Sequence, residues 1–108
     1  MAEPRVACRT PAKGRDGVTN IPEWKFDAVR GAILAGLSQG PVLFKDLNAA
    51  VDARLTADQR RDLGSLGWHV TTVKLELEVR GEIVRVPGSG PQRIMLAADD
   101  VQTRSNPD

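Results

Sequence analysis

At 108 residues and a net charge of +1, the chain has room for one domain and no charge excess that would by itself mark a polyanionic partner. Hydrophobic residues at 41% and charged residues at 27% are globular values, which excludes a chain disordered throughout. No run approaches the roughly 20 apolar residues of a membrane span, residues 1–9 lack an apolar core of signal-peptide length, and one cysteine, Cys8, allows no internal disulfide. The expectation is a cytoplasmic, bacterial protein without a membrane partner.

Residues 1–19 carry Pro4, Pro11, Gly14 and Gly17 among Arg5, Arg9, Lys13 and Arg15 and show no helical period. They read as an extended basic arm, with Cys8 on a mobile segment and Val18 and Ile21 able to touch the body. Such an arm either holds phosphate or is simply solvated. The segment Asn20-Ile21-Pro22-Glu23 then opens a helix, with Asn20 and Glu23 at capping-box spacing and Ile21 the alternative cap because it precedes proline.

The first helix is predicted over residues 22–39, with Phe26, Val29, Ile33 and Leu37 on one face and Gly40-Pro41 as its stop. Val42-Leu43 forms a very short strand. A second helix follows, with Phe44, Leu47, Val51 and Leu55 on its stripe. Thr56 and Gln59 repeat the capping-box spacing and predict a short helical turn over residues 58–63.

A third main helix is predicted from Ser65 or Leu66 to Arg80, with Leu66, Val70, Val73 and Leu77 as its core stripe and Gly81 as its stop. After Gly81 the period changes from helical to alternating. Ile83, Val84, Arg85 and Val86 make one strand and residues 92–97 the other, joined by Pro87-Gly88-Ser89-Gly90-Pro91. Residues 99–108 hold Arg104 against Asp99, Asp100 and Asp108 and read as a disordered acidic tail. The domain is therefore expected over residues 20–98. Trp24, Phe26, Phe44 and Trp68 are its only aromatics, and each is expected to matter to a small core.

The junction Leu77-Glu78-Val79-Arg80-Gly81-Glu82-Ile83-Val84-Arg85-Val86 resembles that of many bacterial winged-helix regulators. There a leucine and a glutamate precede a basic residue, a glycine and a strand. The whole chain is also similar to a family of short, uncharacterised bacterial proteins of that fold. Lys25-Phe26-Asp27-Ala28-Val29-Arg30 with Ala32-Ile33-Leu34, then Gly67-Trp68-His69-Val70-Thr71-Thr72-Val73-Lys74-Leu75, and Pro87-Gly88 with Pro91-Gln92-Arg93, carry the likeness over roughly residues 18–97. The implied fold class is α+β, mostly α: a winged helix with a three-helix core and a two-stranded hairpin wing.

That fold implies DNA binding, with the third main helix in the major groove and the wing on the flanking backbone. Thr71 and Thr72 would lie nearest the bases, and Lys74, Arg85, Arg93, Arg9, Lys13 and Arg15 would contact phosphates of double-stranded DNA. The wing arginines read equally as cations that discourage strand-to-strand aggregation. Against groove reading, Lys74, Glu76, Glu78 and Arg80 sum to zero charge on the helix flanks. Trp68, Leu75 and Val79 also form a second apolar stripe, which predicts a covering element: the arm, the 58–63 insertion, or a second subunit in a homodimer. The competing expectation is thus a protein-interaction or dimerisation module.

The lone histidine, His69, and the lone cysteine cannot assemble a zinc site, and no nucleophile motif accompanies His69. Glu76 and Glu78 are two residues apart and diverge on a helix, and the glycines at 88 and 90 lack the strand-to-helix setting of a phosphate loop. No enzyme, no cofactor, no metal and no small-molecule substrate is expected.

Overall fold

The computed structural model describes residues 4–9, 18–88 and 90–97. In chain order these form β1 (Arg5–Arg9), β2 (Val18–Pro22), α1 (Glu23–Gly36), β3 (Val42–Leu43), α2 (Phe44–Asp52), α3 (Ala57–Leu63), α4 (Leu66–Arg80), β4 (Ile83–Arg85) and β5 (Arg93–Leu96). The fold is α+β, with helices forming most of it.

The expected arm is where sequence and structure part. Arg5–Arg9 pairs antiparallel with Val18–Pro22, Cys8 opposite Thr19 and Val6 opposite Ile21, so a hairpin precedes the helices. Cys8 and Ile21 point inward and are buried, which corrects the placement of Cys8 on a mobile segment. The proline- and glycine-rich composition hid an alternation, Val6 and Cys8 against Arg5, Ala7 and Arg9, that is the pattern of a half-buried strand. Lys13, Arg15 and the acidic tail lie outside the described residues.

α1 starts one residue later than expected. Pro22 is its cap, with no side-chain bond from Asn20 or Ile21, and the N–H of Glu23 donates to the carbonyl of Pro4 at 2.9 Å. An orphan helix-end donor is thereby satisfied by the hairpin. At its other end α1 stops at Gly36. There bonds to the residue three back, such as Ser38 N–H to Ala35 O at 3.2 Å, tighten the last turn before Gly40.

α3 begins with the predicted capping box. Thr56 Oγ1 accepts from Gln59 N–H at 3.0 Å and Gln59 Oε1 from Thr56 N–H at 2.9 Å. Ser65 caps α4 by accepting from Trp68 N–H, and Gly81 ends it at φ 77°, a left-handed conformation that side chains with a Cβ resist. The C-terminal ribbon is not two-stranded. β3 joins it in the order β3-β5-β4, with Val42 opposite Ile94 and Ile83 opposite Leu96.

One core sits between α1, α2, α4 and the sheet. Val29, Ile33, Leu47, Val51, Val70, Val73, Leu77 and Ile94 are fully enclosed. Each such side chain contributes about 1.5–3 kcal/mol by leaving water. Phe26 joins them, but Trp24 and Trp68 are exposed, so two of the four aromatics do not serve the core as expected.

Candidate nucleic-acid interface

At 100° per residue, α4 turns Val70, Val73 and Leu77 to the core and Trp68, Thr71, Thr72, Leu75 and Val79 away from it. Its flanks differ from a simple amphipathic helix because Lys74, Glu76 and His69 are buried too. Buried charges need partners. Those partners build the rims of the outer face.

On one rim lies Glu76. Its Oε1 accepts from the backbone N–H of Arg9 at 2.7 Å and from Arg9 Nε at 3.1 Å. Its Oε2 accepts from Arg9 Nη2 and Arg80 Nε, both at 2.8 Å. Burial alone would push this carboxyl up; the bonds from Arg9 and Arg80 outweigh it and bring the pKa down to about 2. Arg80 also lies 4.6 Å above the Phe26 ring, and Glu82 pairs with Arg30 at 2.8 Å, so the rim is continuous from β1 to α1.

Glu78 organises the opposite rim. It pairs with Lys74 at 2.7 Å and with Arg85 of β4 at 3.2 Å. Lys74 Nζ also donates to Gln92 Oε1 at 3.1 Å and sits 4.7 Å from the Phe44 ring. This cluster fastens the ribbon to α4. It also corrects the expectation that Lys74 contacts phosphate, because its side chain is only 3% exposed and already engaged.

Against the outer arginine of each cluster the carboxylate is the more covered partner. Arg9 is 53% exposed over Glu76 at 1%, and Arg85 is 52% exposed over Glu78 at 10%. The glutamates therefore do not confront an approaching anion, which changes the meaning of the zero flank charge counted in the sequence. Their i,i+4 partners, Lys74 to Glu78 and Glu76 to Arg80, were legible as spacings. Which member of each pair faces water was not.

Thr71 is exposed and Thr72 half-buried, both on the outer face. Trp68 is 48% exposed there, and Leu75 and Val79 are half-buried, so the expected cover over this stripe is partial. β1 borders the row without burying it. Arg93 is exposed, but Arg85 pairs with Ile94, so residue alternation puts the two wing arginines on opposite faces of the ribbon rather than side by side. Both reach its tip. There a cavity of about 340 Å³ is lined by Arg85, Val86, Pro87, Gly88, Gly90, Pro91, Gln92 and Arg93.

His69 is a structural residue. Its Nδ1 donates to Ser65 O at 2.7 Å, its ring meets Trp68 edge-on at 4.8 Å, and burial pushes its pKa down against that hydrogen bond. Among the described residues no three His, Cys, Asp or Glu side chains converge as metal ligands, and no helix is long and apolar enough to cross a membrane.

No curated protein and no solved structure matches the chain. The family of unknown function DUF6958 matches residues 5–94, most of the chain, and the protein belongs to that family.

Proposed function

We propose that this is a non-enzymatic domain that binds double-stranded DNA through the outer face of α4. The supporting observation is the burial order of the two arginine–glutamate pairs: on each rim an exposed arginine covers a less exposed glutamate, Glu76 buried and Glu78 half-buried. A surface presenting guanidinium groups on both sides of a partly exposed helix face suits a groove bordered by phosphates. Thr71 and Trp68 stand nearest the base edges, with Arg85 and Arg93 on the backbone. The run α1, β3, α2, α4, β4, β5, with β3 paired to β5, supports a winged-helix reading of the body, to which α3 and the β1–β2 hairpin are additions.

The test is fluorescence anisotropy of a labelled duplex titrated with the full chain at about 50 and about 200 mM salt. Binding that weakens steeply with salt, and weakens further in the Arg85→Gln/Arg93→Gln variant, supports the reading. Absence of binding at the lower salt overturns it.

A second reading rests on the 48% exposure of Trp68 beside Leu75 and Val79: the same row serves as a homodimer contact. Sedimentation of wild type beside Leu75→Glu separates the two. A dimer converted to a folded monomer supports self-association, and a monomer in both removes it.

A further inference from the structure

We infer that the β1–β2 hairpin is a second backbone-contacting element, gripping the DNA strand on the side of α4 opposite the ribbon. This rests on the DNA reading and deepens it by naming the partner of a region that the winged-helix body does not include. Alternation along β1 puts Arg5, Ala7 and Arg9 on one face and Val6 and Cys8 on the other. Cys8 is buried and Val6 packs against the core, so the arginine face looks outward. Opposite Arg5, Ala7 and Arg9 in β2 stand Pro22, Asn20 and Val18. Among its described residues this face holds two arginines and no carboxylate.

Glu76 supplies the second observation. It binds the main chain of Arg9 as well as its guanidinium, which fixes the end of β1 against the flank of α4. An arginine has five N–H donors, and Glu76 takes two of the side chain's, leaving others for a phosphate. The dimensions agree. A helix with its side chains is about 10–12 Å across, and the B-DNA major groove is about 12 Å wide. Cations held on the two flanks of α4 therefore fall over the two phosphate strands that border the groove. Arg9 and Arg5 serve one strand, and Arg85 with Arg93 at the ribbon tip serves the other.

The decisive measurement is the salt dependence of binding, with the full chain and a fluorescein-labelled duplex of about two helical turns. Each phosphate contact contributes about 0.9 to the slope of log affinity against log salt. Arg5→Gln/Arg9→Gln is expected to lower that slope by about two, as much as Arg85→Gln/Arg93→Gln. A slope unchanged in the hairpin variant but reduced in the ribbon variant overturns the inference while leaving DNA binding intact. No binding by wild type sinks both together.

Because Arg9→Gln also loosens the hairpin, Cys8 reactivity toward a thiol reagent reports docking in each variant. Arg5→Gln keeps every bond to Glu76 and should lower the slope by about one with Cys8 still protected. An unchanged slope in that variant, beside a reduced one only where Cys8 becomes reactive, would make the hairpin a structural strut and overturn the inference.

Discussion

Two hairpins pack against α4, one at each flank, and both are tied down by a glutamate of that helix. The C-terminal ribbon is held by Glu78, which shares a buried lysine and an exposed arginine. The N-terminal hairpin is held by Glu76, whose partners are two arginines and a backbone N–H. The difference lies in what each carboxylate would leave behind. Lys74 is enclosed, whereas Arg9 and Arg80 can turn to water. A buried ion pair is most costly to break from the side that strands a buried charge.

That asymmetry orders the expected effects. Glu78→Ala strands Lys74 and should cost about 3 kcal/mol in urea denaturation. Adding Lys74→Met should restore most of the loss, since removing both charges leaves an apolar stem against Phe44. A double variant no more stable than Glu78→Ala would show that the cluster acts through something other than the stranded ammonium.

Glu76→Ala should cost less, about 2 kcal/mol, because the released guanidinium groups are resolvated. Its signature is local. Cys8, whose thiol is pushed up by burial and then by the Glu76 charge, should become reactive as the hairpin lifts. Protection of Cys8 in Glu76→Ala equal to wild type would mean that the Val6, Cys8 and Ile21 contacts hold the hairpin unaided.

The pH dependence follows from the same carboxylate. Glu76 titrates at about 2 when folded and at about 4.3 in an unfolded chain. Its folded pKa is depressed, so its contribution is complete above the unfolded value and is lost as pH falls through the folded one. Wild type should lose about 2 kcal/mol of stability across that window, and Glu76→Gln should show a flatter profile with the same fold by circular dichroism. Matching profiles would remove Glu76 as the source. The smallest effect belongs to Arg85→Ala, at most about 1 kcal/mol, because its pair is solvent-screened and Lys74 still satisfies Glu78.

The unequal legibility of the two hairpins has a physical cause. The ribbon lies next to α4 in sequence, and its alternating Ile83, Val84, Arg85 and Val86 follow a glycine stop, so local signals suffice. The first hairpin closes on α4 through Arg9 and Glu76, 67 residues apart, and no local pattern names that partner. Its strands are short, partly polar and punctuated by proline, which resembles a tail until Cys8 and Ile21 find a core to enter.

The order of the helices, their apolar stripes, the Thr56 capping box and the Gly81 stop were set by the sequence alone, because each depends on neighbours within a turn or two. Burial of Lys74, Glu76 and Cys8, the opposed faces of Arg85 and Arg93, and the exposure of arginine above glutamate were decided only when distant segments met. A side chain's spacing is local, but its access to water depends on everything packed around it. The charge that this protein shows to a partner is therefore a tertiary property.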